Sequence, residues 1–78
     1  MERFQIKFND VNDVQKFVHV VSKYKADVDL HCGSYYVDAK SIMGIMTMDI
    51  RNSMWISSNC DKGEGKKLRQ ELGWLAVA

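Results

Sequence analysis

Proline is absent from this chain, cysteine occurs only twice, and positive and negative charges nearly cancel. Without proline, and with 46% hydrophobic and 27% charged residues, the chain is globular rather than a disordered, proline-rich segment. Cys32 and Cys60 lie far apart, with neither the CxxC spacing of a redox or zinc site nor the density of a secreted disulfide scaffold. They are read as free thiols. His19 and His31 do not complete a metal set with them, although His31 adjoins Cys32, so no metal and no cofactor is expected. Eleven basic and ten acidic residues leave a net charge of +1, which argues against a strongly electrostatic partner. The one basic cluster, Lys62, Lys66, Lys67 and Arg69, is interrupted by Glu64 and Glu71 and reads as a solvated helix face, so nucleic-acid binding is not expected. No apolar run approaches the roughly 20 residues that span a bilayer, and Met1-Glu2-Arg3-Phe4 has no signal-peptide pattern. A cytoplasmic protein that does not enter a membrane is expected.

What is present fits one small domain of 78 residues, with a core that is sufficient but not generous. Phe4, Ile6 and Phe8 alternate with Arg3, Gln5 and Lys7, the period of a half-buried strand. Val14, Phe17, Val18 and Val21 then repeat as on one helix face, with Asn12 or Asp13 available as the cap and an end near Tyr24. His19 falls on the flank of this helix and reads as a surface residue. Ala26 to Cys32 and Tyr35 to Ala39 form two strand-like runs joined by Gly33-Ser34, a two-residue hairpin turn. Val28 and Leu30 share one face of the first strand; Tyr35, Val37 and Ala39 share one face of the second. A turn over Asp49 to Ser53 precedes a fourth strand, Met54 to Ser58, whose inward residues the period leaves open. Asn59 to Gly65, with two glycines, reads as a connection, and Leu68, Leu72 and Leu75 mark a last helix. The apolar end, Trp74 to Ala78, is expected to dock back on the body or to contact another copy.

Lys40-Ser41-Ile42-Met43-Gly44-Ile45-Met46 is the stretch with the most functional content. Ser41 is a favoured helix cap between a strand-like run and an apolar segment. Ile42, Met43, Ile45, Met46 and Met48 point in too many directions around so short a helix for one core face to take them all. Ile42, Met43, Met46 and Met48 are therefore the candidate partner-binding surface, since exposed methionines and apolar patches mark interaction sites.

The element order β-α-β-β-α-β-α predicts an α+β open-faced sandwich. That order, with the words Ser22-Lys23-Tyr24, Ala26-Asp27-Val28-Asp29-Leu30 and Lys40-Ser41-Ile42-Met43-Gly44, resembles HPr, the small phosphocarrier of the sugar phosphotransferase system. The resemblance runs without a gap from about Asn12 to Ile50 and is weak over the last helix. It implies a four-stranded antiparallel sheet with three helices on one face. Members that carry phosphate have Gly-Ile-His-Ala-Arg-Pro-Ala at the start of the first helix, the histidine being the nucleophile. Counting back from Ser22, Asp10 stands at the position of that histidine, Asn12 at the arginine and Asp13 at the proline. The two carboxylates put negative charge where a phosphoryl group must sit, and no metal set is arranged to offset it. Ser41 matches the family's second, regulatory phosphorylation site, which a dedicated ATP-dependent kinase modifies in relatives of low-GC Gram-positive type.

Two functional readings result. In the first, the chain is not an enzyme or a phosphocarrier but a regulatory or adaptor protein, phosphorylated on Ser41, with a kinase and a transcriptional regulator or metabolic enzyme as partners. In the second, it is an interaction or structural module of the same fold with no phosphate chemistry, Ser41 being a cap alone. A monomer or weak homo-oligomer suits either.

Overall fold

The computed structural model describes residues 2–77. The strand β1 (Glu2–Ile6) is followed by α1 (Val11–Val21), β2 (Val28–Cys32), β3 (Tyr35–Asp38), α2 (Ile42–Ile45), β4 (Met54–Ser58) and α3 (Lys62–Glu71). A single 3-10 turn, Gly73–Leu75, closes the chain. The strands form one antiparallel sheet in the order β1-β4-β2-β3, so the hairpin β2-β3 makes one side and β4 is inserted between β1 and β2. Gly33 turns the hairpin with φ +60°, and among the described residues no other residue type takes a positive φ, which leaves Ser34 negative. That is the pattern of a type II′ turn, where a glycine at the first position carries no Cβ penalty.

Cross-strand register assigns the two faces of the sheet. Phe4, Ile56, Leu30 and Val37 stand opposite one another in a row, as do Ile6 and Met54, and all but Val37 are buried. The helices cover this face. Val14, Phe17 and Val21 of α1 and Leu68 of α3 are fully buried against it, and Phe8 meets the Phe17 ring edge-on at 5.2 Å. Burying each of these large side chains contributes on the order of 1.5–3 kcal/mol. In β4 the inward residues are Met54, Ile56 and Ser58, and Trp55 points away from the helices.

Three expectations are corrected. α1 begins earlier than Asn12 or Asp13 would allow, because Asp10 is its cap, and it ends at Val21 rather than Tyr24. The stretch Asn59 to Gly65 is not all connection: α3 starts at Lys62, where Asp61 Oδ1 accepts from Glu64 N at 2.8 Å, and the cap carries Gly63 and Gly65 into the helix. Leu75 belongs to the 3-10 turn, not to α3. The chain end docks on the body. Lys7 N donates to the Leu75 carbonyl and Val77 N to the Gln5 carbonyl, both at 3.0 Å, so residues 75–77 cover the outer edge of β1. Ala78 lies outside the described residues.

Candidate functional site

The start of α1 is closed by its own side chains. Asp10 Oδ1 accepts from Asp13 N at 3.0 Å, and Asp13 Oδ2 accepts from Asn9 N, one residue before the cap, at 2.9 Å, so both carboxylates are committed to the backbone of this turn. Asn12 is exposed beside them. The two histidines are elsewhere, His19 exposed near the end of α1 and His31 buried in β2. A phosphoryl group brought to this helix start would meet two carboxylates where free N–H groups are needed.

The start of α2 is built from Ser41. Its Oγ accepts from Gly44 N at 3.1 Å, and its own O–H proton is left without an acceptor among the described residues. A Cβ on Gly44 would stand 3.3 Å from that Oγ, so glycine keeps the hydroxyl in its place. Lys40, the neighbouring cation, is engaged elsewhere: its Nζ donates to the Tyr24 carbonyl at 2.6 Å and ties the loop to the segment after α1. At the other end of α2, Thr47 Oγ1 donates to the Gly44 carbonyl at 2.6 Å and lies 2.7 Å from the Tyr35 hydroxyl. Ile45 is fully buried beneath. A four-residue helix with little intrinsic stability is thus held at both ends and from below.

What this frame presents is apolar. Met43 is 81% exposed, Met46 45% and Ile42 37%. Met48, the fourth candidate, is corrected: it is half-buried and packs against the core, because the chain has left the helix by that point and turns inward. α1 and α2 touch, so the capped start of one helix and the methionine patch of the other belong to one layer. Sequence reading missed the two tethers, Lys40 to Tyr24 and Thr47 to Tyr35, since neither pair has a local signature. Among the described residues, no three His, Cys, Asp or Glu side chains converge as a metal set, and no helix is long and apolar enough to cross a membrane.

Comparison with known proteins gives this geometry a family. The family model described as the PTS HPr component phosphorylation site matches residues 12–75. The chain belongs to the HPr family. No curated protein gives a match. Among solved structures, HPr-C-His from Thermoanaerobacter tengcongensis is similar at TM-score 0.76 and 26% identity, over 92% of this chain and 90% of that one. The phosphocarrier protein HPr from Bacillus anthracis matches at 0.73 and 21%, over 97% and 94%. A histidine-containing phosphocarrier protein of Mycoplasma matches at 0.71 and 15%, over 99% and 100%. The HPr match begins two residues after Asp10, so the capped aspartate lies outside it. The four-stranded antiparallel sheet with three helices on one face is the HPr fold.

Proposed function

We propose that this HPr-family chain is a non-catalytic regulatory or adaptor protein, not a phosphocarrier, whose switch is Ser41 and whose contact surface is Ile42, Met43 and Met46. The observation that carries the reading is the start of α1, where the Asp10 and Asp13 carboxylates are both bonded to backbone N–H groups. At the helix start where the family resemblance places a histidine nucleophile, the side chain is a carboxylate already spent on the backbone, beside a second carboxylate. Ser41 supports the regulatory half, since its hydroxyl proton is uncommitted and an exposed apolar patch adjoins it. Transfer from ATP would form a bond between Ser41 Oγ and the γ-phosphorus and break the bond from that phosphorus to the bridging oxygen of ADP, with the hydroxyl proton leaving to a base of the kinase. The product places two negative charges beside first-turn N–H groups and beside the methionine patch, which changes what can dock there. The partners are then an HPr kinase and a regulator or metabolic enzyme, in the cytoplasm.

A second reading, an interaction module without phosphate chemistry, is favoured by two contacts. Ser41 Oγ already serves as a cap, and Lys40 is held by the Tyr24 carbonyl rather than free to pair with a phosphate. Mass spectrometry after incubation with ATP and an HPr kinase separates the two, with Ser41→Ala as control. One phosphate localised to Ser41 is the expected result; no incorporation while a competent HPr in the same tube is labelled would move the assignment to the unmodified module.

A further inference from the structure

The face of the sheet opposite the helices is uncovered, and its side chains form a pattern with two unlike ends. Register puts Gln5, Trp55, His31 and Tyr36 in one row across the strands β1-β4-β2-β3, and Arg3, Ser57, Asp29 and Asp38 in the next. The second row runs from a cation on β1 to two carboxylates on β2 and β3. Arg3, Asp29 and Asp38 are all exposed, and none of them makes an ion pair among the described residues. Asp38 Oδ1 accepts from Lys40 N at 2.9 Å. Asp29 and Asp38 nevertheless stand directly opposite each other, a like-charge pair that destabilises a sheet unless a cation joins it. The first row is aromatic: Trp55 and Tyr36 are 40% and 58% exposed, and the His31 ring stacks on Tyr36 at 4.3 Å. The Arg3 guanidinium lies 5.7 Å from the Trp55 ring centre, which keeps that cation on this face.

We propose that two copies of this chain associate through this face, sheet against sheet, about a two-fold axis parallel to the strands. That axis lays β1 of one copy over β3 of the other and β4 over β2, and it keeps each row over itself. Arg3 then faces Asp38 of the second copy, with Asp29 one strand in, and Trp55 faces the stacked His31 and Tyr36. Each contact is made twice, as in any isologous pair. Sheets packed face to face lie about 10 Å apart with strands about 30° from parallel, a gap that arginine and aspartate side chains bridge together. Charge selects both the axis and the occupant. The other in-plane two-fold, across the strands, lays each strand over itself, so Arg3 would meet β1, which carries only Arg3 and Gln5 on this face. An acidic partner would leave Asp29 and Asp38 uncompensated, and a basic one would repel Arg3; a second copy supplies both signs in the matching order.

Area sets the strength. Four strands of at most five residues, about 4.8 Å apart, cover roughly 300 Å² in plan, a small patch beside the ~800 Å² that each partner gives to a standard interface. A dissociation constant on the order of 0.1–1 mM follows, with a monomer at micromolar concentration. The helices of both copies face outward, so Ile42, Met43 and Met46 stay free and the association does not depend on Ser41.

The test is sedimentation equilibrium of the full chain from about 0.02 to 2 mM, with amide and indole shifts of the isotope-labelled chain followed over the same dilution. A monomer–dimer equilibrium is expected, with shifts that grow with concentration at Arg3, Trp55, Tyr36 and Asp38. Arg3→Glu and Asp38→Lys should each weaken association by about tenfold, and the double variant, which swaps the two charges, should recover it. β1 and β3 are three strand spacings apart, about 14 Å, so that recovery acts between copies and not within one. Trp55→Ser, which changes no charge, should weaken association by about tenfold as well. A single mass at every concentration, full association in the single variants, no recovery in the double variant, or shifts centred on Met43 and Met46 or on residues 75–77 would each overturn the proposal.

Discussion

Glu71, in the last turn of α3, accepts hydrogen bonds from the Tyr24 hydroxyl and from Lys23 Nζ, the latter at 2.9 Å, and so clips α3 to the end of α1. The Tyr24 bond, and then Lys23, hold the Glu71 carboxyl below its ordinary value of 4.5. Burial first, and then Glu71, push the Tyr24 hydroxyl well above 10.0. The signs are opposite in pH. Glu71, depressed in the folded state, stabilises above 4.5 and loses that contribution as pH falls; Tyr24, raised, stabilises below 10.0 and loses it as pH rises. Replacing Glu71 by Gln is expected to lower stability by about 1 kcal/mol at neutral pH, a small figure because Lys23 is largely exposed. The difference should shrink on acidification to a pH below the depressed folded-state value, where the wild-type carboxylate is protonated as well. Urea unfolding at the two pH values checks this, and an equal difference at both would mean that the charge of Glu71 plays no part. The whole clip joins residues 23, 24 and 71, so nothing in the local sequence announces it.

Helix starts decide the elements, and each here has a side-chain cap: Asp10 for α1, Ser41 for α2 and Asp61 for α3. Ser41 was legible because a strand pattern stops just before it and an apolar run begins just after. Asp10 was not, since Asn12 and Asp13 are equally good caps in isolation; in the fold it is Asp10 Oδ1 that takes the Asp13 N–H. Asp61 was hidden by Gly63 and Gly65, whose low helix propensity is outweighed by the cap and by the burial of Gly65 and Leu68. Asp10→Ala and Asp61→Ala should each cost about 1 kcal/mol, whereas Asp10→Asn, which keeps the capping oxygen, should cost far less. Thermal unfolding of the three variants separates a capping role from one that needs a carboxylate. Gly63→Ala should act the other way. A Cβ there meets only Asp61 Oδ1 at 3.6 Å, ordinary contact, so the gain in helix propensity of about 0.5–1 kcal/mol is unopposed and the melting temperature should rise.

At the scale of the whole molecule, the sheet has two edges, and they are treated differently. Residues 75–77 bond to Gln5 and Lys7 and cover β1, while β3 is left as a four-residue edge strand too short to recruit another chain readily. Removing Ala76 to Ala78 takes away the Val77 bond to Gln5 and uncovers β1. The shortened chain is expected to unfold at lower temperature and to show a concentration-dependent mass in light scattering; an unchanged monomer would show that the chain end is not an edge guard. The sequence by itself determined the order of elements, the hairpin turn at Gly33 and the Ser41 cap, because periods of 2 and 3.6 and turn chemistry act over a few neighbouring residues. Tertiary structure alone decided that Trp55 faces away from the helices, that Met48 turns inward while Met43 stays out, and that Trp55, His31 and Tyr36 from three strands meet in one row. These depend on strand order and register, which bring together residues far apart in the chain, 26 positions in the Ser57–His31 contact and more between β1 and β4, and such pairings leave no trace in local pattern.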